Sequence, residues 1–364
     1  MMDMLLSPRP QKTLALSRRR MLAGFGAVGA LALGGVALAP ATPARAAAAR
    51  FGGETMGTTY TVKIAGRALT PAQVEALRAD VQSALDGVDH AMSLHRPASE
   101  LRRFNAQPAG MVALSADFYT VLHEACAVAA WSGGAFDPTV APLVNAWGFG
   151  AAQVSAAPSA AALAAQRRSV GFGGLTLDAG RRAAAKAHDA LALDFGGVAK
   201  GFGVDAAARA LAAQGFENFM VEAGGEVRAL GLNAEGRPWV IGIEQPDAWP
   251  QRARLALPVS AGAVATSGDY RNVIKHDGRR YTHEIDPRTG APIARGLASV
   301  TVAADEAIHA DALATALIVL GADKGRALAE SAGIAALFII RDAAGALHDA
   351  PTTAFAALDA RSAA

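Results

Sequence analysis

The chain has a single cysteine, Cys126, in 364 residues. An intrachain disulfide is excluded, and so is a cysteine-based metal cluster. Cys126 lies in the apolar helical run HEACAVAAW, which suits a small buried hydrophobe better than a reactive thiol. Charge of either sign is not in excess: the net value is +2, and no clustered lysine and arginine footprint marks a nucleic-acid partner. Several motifs are missing. No G-x-x-x-x-G-K-[ST] run is present, so a P-loop is excluded. Neither H-E-x-x-H nor a cysteine pair occurs, which removes the usual basis for zinc. Ser267, in ATSGDY, lacks the G-x-S-x-G elbow, which argues against a serine-hydrolase triad. Aromatic residues are sparse and alanine is abundant; the alanine excess reads as compositional bias.

What is present suffices for a large core, since 52% of the residues are hydrophobic and only 18% charged. The length allows two domains or one large one. The N-terminal stretch reads as a targeting segment. Arg18, Arg19 and Arg20 precede a glycine-rich apolar run over 23–39, and Ala44 and Ala46 form an A-x-A cleavage pattern. Paired arginines before a weakly apolar run match a twin-arginine export signal. The competing reading is an uncleaved anchor, because the run approaches spanning length. No cysteine follows the run to carry a lipid. The expectation is a cleaved signal over 1–46, one domain over 47–364, and a periplasmic location without a stable membrane anchor.

Periodicity gives the elements. TTYTVKI, 58–64, alternates as a strand. A helix spans 71–92, with Val74, Leu77, Val81, Leu85 and Val88 on one face, Thr70 as N-cap and Pro71 first. Ser99 caps a short helix, and Ser115 caps another that ends before Gly133 and Gly134. A loose-ended helix is read over 151–169. Short strands are read at 175–177, 190–193, 219–222, 226–230, 239–243, 255–259, 263–266, 282–285, 297–303 and 334–340. Helices are read at 198–213, 308–320 and 323–331. Strands mixed with long helices, without regular βαβ alternation, predict an α+β fold with antiparallel sheets.

Four places carry chemistry. LDFGGVAKGFGVD, 193–205, is a glycine turn entering a helix, with Asp194 and Lys200 bracketing it. Its glycines permit close backbone approach, and its amides suit an anion; a plain connection is the alternative. Asp311 and Thr315 are four apart on one helix face and offer hard oxygen ligands of the kind Mg²⁺ takes. The alternatives are a capping role for Asp311 and a packing role for Thr315. His283, ahead of an Asp-Pro turn, is placed for proton transfer, or else is structural. Asp137, before Pro138, is held out of the helical region, either aimed at a ligand or forming an Asx-turn.

MGTTY, SLHRPASEL, GAFDPTV, LDFGGVAKGFGVD, AGGEVRALG, ATSGDY, HEIDPRTG and ADALATAL occur in one order. That ordered set resembles the ApbE-type flavin transferases, the FAD:protein FMN transferases, from about Met56 to about Gly321. The resemblance implies a T-fold-like architecture of antiparallel sheets flanked by helices, with FAD in a cleft between lobes. It implies Mg²⁺-dependent transfer of FMN from FAD to a threonine hydroxyl of an acceptor flavoprotein, releasing AMP. By motif position, Met56, Leu94, His95, Arg96, Ala135, Phe136, Asp137, Asp194, Lys200 and Ile285 are expected to contact FAD. Asp311, Thr315 and the carbonyl of Gly197 are expected to hold the metal. His283 is expected to deprotonate the threonine. This chain carries His95 where the family is often aromatic, and Phe202 where tyrosine is commoner. Implied acceptors are subunits of the Rnf or Nqr type, or the flavoprotein of nitrous oxide respiration, with the twin-arginine translocase a partner during export. Two competing readings use the same residues: a Mg²⁺-dependent FAD pyrophosphatase, and a periplasmic FAD carrier without turnover.

Overall fold

The computed structural model describes residues 48–150, 154, 156–276, 278–294 and 296–363. The export-signal reading, and with it the first domain boundary, falls outside them. Among the described residues, no helix is long and apolar enough to cross a membrane.

Alternating side chains build an eight-stranded antiparallel sheet. Its order is Ala48–Thr55, Thr58–Ala65, Phe219–Ala223, Glu226–Leu230, Ala261–Gly268, Leu297–Ala304, Ala335–Arg341 and Leu347–Pro351. Period two sends successive residues to opposite faces. Ala336 and Phe338 thus join the core under the helices, while Ala335, Leu337 and Ile339 join a second core. The second core is closed by the strands Trp239–Glu244 and Ala253–Val259, through Trp239, Ile241, Ile243 and Leu257. The first is closed by the helices Ala116–Trp131, Ala199–Ala213 and Ala307–Leu320. Ala307–Leu320 is apolar nearly all round, as a helix buried on every side must be. Burial pushes the Cys126 thiol up to about 12, as expected for an inert residue packed on this core.

The α+β, antiparallel expectation holds, and several boundaries match. The helix Pro71–Met92 starts where read, and Thr70 and Gln73 close a capping box there. Ser99 and Ser115 cap their helices through the amides of Arg102 and Phe118.

Three readings are corrected. The segment 190–193 is not a strand and makes only one parallel bridge, Ala192 to Val140. The Asn105 side chain takes the place of a neighbouring strand, accepting from Leu193 N and donating to Leu193 O. The segment 282–285 is not one strand. Arg279–Thr282 ends it, Ile285–Asp286 pairs with Ala291–Pro292, and His283 and Glu284 lie between. His283 N donates to Asn272 O instead of continuing the ladder. Over 151–169, the helix covers only Ala160–Arg167, starting at the Ser159 cap.

Two elements near the site were not legible. Ala48–Thr55 forms a hairpin with Thr58–Ala65 through Met56 (φ 46°) and Gly57 (φ 74°). Positive φ at both central residues is the two-residue turn that matches strand twist. Ala141–Trp147 is a helix whose Trp147 indole donates to Gly290 O.

Candidate active site

One cavity of about 1350 Å³ runs along the molecule, and every residue assigned above by resemblance lines it. Met56 reaches it from the hairpin turn, where a non-glycine residue holds positive φ. Leu94, His95 and Arg96 follow the Pro71–Met92 helix. Arg96 is tied back to Asp89 by an ion pair, which fixes that turn. Ala135 and Phe136 come from the loop after Ala116–Trp131, and Ser132 Oγ accepts from Phe136 N at 3.1 Å. Ile285 is buried at the other wall.

Asp137 is committed to the protein. Its Oδ1 accepts from Thr139 N and Oγ1 at 2.8 and 2.6 Å, and its Oδ2 from Phe172 N at 3.0 Å. The Asx-turn alternative therefore describes its carboxylate, which shapes the cavity wall. Burial raises its pKa against those bonds.

The LDFGGVAKGFGVD stretch divides its work. Asp194 Oδ1 accepts from Gly196 N at 2.7 Å, and burial raises Asp194, with His95 and His283 opposing. Lys200 does not pair with Asp194. Its Nζ donates to Glu226 Oε1 at 2.6 Å and stands 3.9 Å from Asp311 Oδ1. Burial alone would lower the Lys200 ammonium, but Asp311 and Glu226 carry it above its ordinary value. Burial raises Asp311, Glu226 and Glu284, each opposed by a neighbouring cation. One lysine thus serves a corner with more buried carboxylates than cations, and further positive charge there is favourable.

The helices Ala199–Ala213 and Ala307–Leu320 exchange carboxylates. Asp205, on the first, accepts from Ala307 N and Ile308 N at 3.0 and 2.9 Å and caps the second. Asp311, on the second, accepts from Gly201 N at 2.9 Å through Oδ2. The capping role considered for Asp311 therefore belongs to Asp205, leaving Asp311 Oδ1 open to the cavity. Gly201 permits this approach, because a Cβ there would overlap the Ala307 carbonyl. Gly201→Ala is expected to destabilise the fold by roughly 2–3 kcal/mol, read by urea unfolding; an unchanged midpoint would show that the helices part freely.

Gly197 stands against Thr315 in the same way. A Cβ at Gly197 would lie 2.8 Å from Thr315 Oγ1, so only glycine leaves room for its backbone beside that hydroxyl. Ser267 Oγ lies 3.2 Å from Thr315 Oγ1. A carboxylate oxygen, a hydroxyl and a peptide carbonyl are hard donors, and they fit Mg²⁺, which binds few protein oxygens and completes its shell with phosphate and water. Among the described residues, no group of three or more His, Cys, Asp or Glu is placed to hold a metal, so a softer, ligand-rich site is not offered.

His283 is partly open to the cavity, with Nδ1 3.2 Å from Asn272 O and Nε2 3.4 Å from Glu284 Oε1. Glu226, Glu284 and Ser267 complete the site but had no assigned part in it. Glu226 and Glu284 sit inside the quoted motifs AGGEVRALG and HEIDPRTG, and their adjacency to the named residues was the available signal. Their roles depend on contacts across the fold: Glu226 reaches Lys200 from 26 residues away.

A model of the ApbE family matches residues 56–338. The chain belongs to the ApbE family. A curated relative from Haemophilus influenzae, named FAD:protein FMN transferase, is 40% identical over 295 residues, covering 79% of this chain and 85% of the relative. The solved flavin transferase ApbE from Vibrio cholerae is 38% identical, with a TM-score of 0.78, covering 86% of this chain and 99% of that one. The apo flavinyl transferase ApbE of Pseudomonas stutzeri is 39% identical, with a TM-score of 0.76, covering 86% and 97%. In this ApbE chain the motif residues, spread from Met56 to Thr315, come together on one cavity.

Proposed function

We propose that this chain is a FAD:protein FMN transferase. The observation that carries the reading is that Asp311, Thr315, Gly197, Lys200 and His283 all line one cavity. Its volume exceeds the roughly 300–1,000 Å³ usual for small-ligand pockets, which suits a dinucleotide plus the tip of a polypeptide.

Asp311, Thr315 and the Gly197 carbonyl would hold Mg²⁺. When bound, that ion would neutralise charge on the pyrophosphate and the departing AMP. Lys200, fixed by Glu226, adds positive charge beside the same phosphates. Asp194 and the turn at Leu94, His95 and Arg96 line the space for the flavin nucleotide. His283 accepts the proton of a threonine hydroxyl, a weak nucleophile at its free pKa. Transfer of this kind depends mainly on positioning and electrostatic stabilisation, and these residues supply both.

The test incubates the chain with FAD, Mg²⁺ and threonine-bearing fragments of candidate electron-transfer subunits. Covalently fluorescent acceptor and stoichiometric AMP are expected. AMP without labelled acceptor would instead identify a pyrophosphatase, and intact FAD would identify a carrier. Periplasmic delivery by the twin-arginine route, with Rnf, Nqr or nitrous oxide respiration proteins as acceptors, belongs to the same proposal. Changing Arg18 and Arg19 to Lys should leave the protein in the cytoplasm; an unchanged periplasmic fraction would remove that part.

A further inference from the structure

His283 is set between two acceptor oxygens. The Asn272 carbonyl faces Nδ1 at 3.2 Å and also accepts the His283 backbone N–H at 3.2 Å. That carbonyl keeps the proton of the neutral ring on Nδ1 and leaves Nε2 as the basic nitrogen. Nε2 in turn faces Glu284 Oε1 at 3.4 Å, too long for a good hydrogen bond but close for a charge. Glu284 is 7% exposed, so its carboxylate acts on the ring with little screening by water. Among the described residues, Glu284 alone comes within ion-pair distance of this ring.

We propose that Glu284 is a positioning residue, the counter-ion of the imidazolium that forms on His283 during transfer. This rests on the transferase reading above. In the step, the threonine Oγ bonds to the FMN phosphorus as its proton moves to His283 Nε2. The bond from that phosphorus to the bridging oxygen breaks, and AMP leaves with the electron pair. The ring then carries a proton on each nitrogen, and both meet acceptors: Nδ1–H the Asn272 carbonyl, Nε2–H the Glu284 carboxylate. A neutral ring satisfies only one of them, so the pair of acceptors favours the state reached after proton transfer.

Other groups act on the ring and belong in its pH behaviour. Asp194, from the turn before Ala199–Ala213, is a second carboxylate near it, but its Oδ1 is spent on Gly196 N. Phe149 meets the ring edge-on, with centroids 6.3 Å apart. Lys200 opposes the effect of burial on Glu284, while Asp311 and Asp269 add to it.

Glu284→Gln keeps size and removes charge. Plateau transfer is expected to slow roughly tenfold with FAD affinity unchanged. Losing the carboxylate makes the imidazolium less stable, so the acid limb of the rate profile and the His283 ring titration seen by NMR should both move to lower pH. Glu284→Asp should restore part of both. A wild-type rate with an unmoved titration would overturn the proposal, and so would a collapse of FAD affinity in place of the rate effect. If the wild-type chain labels no acceptor, the transferase reading fails on its own. The ring titration still judges Glu284: a midpoint unmoved in Glu284→Gln overturns its role, and a lowered one upholds the pairing.

Discussion

Asp311→Asn is expected to cut flavin transfer by at least roughly a hundredfold while FAD stays bound. The reason lies in how the two carboxylate oxygens are used. Oδ2 serves Gly201 N, and an amide oxygen can still accept that bond. Oδ1 faces the cavity, and the amide replaces its charge with a neutral group beside Lys200. The substitution therefore preserves the helix contact and removes the negative charge facing the cavity. Single-turnover AMP release measures the first effect, and flavin fluorescence quenching the second. Near-normal turnover would take Asp311 out of the metal site, and loss of FAD would make it a binding group.

The next largest effect is expected at His283. His283→Ala should slow transfer by about 10²–10⁴, the usual contribution of a general base, with FAD affinity retained. The ring is partly exposed, its hydrogen-bond partner is the Asn272 carbonyl, and it faces the buried Glu284 carboxylate, so its removal takes a neighbouring charge from Glu284. AMP formed by slow attack of water would persist or rise relative to labelled acceptor. Equal loss of FAD binding would assign His283 to holding the nucleotide.

The parts of this molecule that were legible in the sequence are those written locally. The Pro71–Met92 helix shows its apolar face and its cap within one stretch, and Asp311 and Thr315 declare a shared face by their spacing. The hidden parts are long-range. Asn105 replaces a strand partner for Leu193 from 88 residues away, and no local pattern signals that. Asp205 caps a helix about a hundred residues downstream, which made Asp311 look like a capping residue. Ala48–Thr55 carries no clear strand signal because its glycines dilute the pattern, although its hairpin turn places Met56 in the cavity. Lys200 brackets its turn with Asp194 in the sequence, but its carboxylate partner, Glu226, stands 26 residues away on a strand, and no local pattern announces it.

The exchanged carboxylates between Ala199–Ala213 and Ala307–Leu320 make those helices a single opening unit. The amides of Gly201, Ala307 and Ile308 lose their acceptors only if the helices separate, so they should trade hydrogen for deuterium together. A cation held by Oδ1 of Asp311 would bind the closed arrangement alone and would deepen its protection by mass action. Hydrogen exchange at Gly201 then becomes a gauge of ion occupancy that needs neither flavin nor acceptor. Added Mg²⁺ should slow it in the wild-type chain and leave it unaltered in Asp311→Asn; equal rates with and without the ion in the wild type would uncouple the two. Loading the ion would in this way stiffen the frame before any nucleotide arrives.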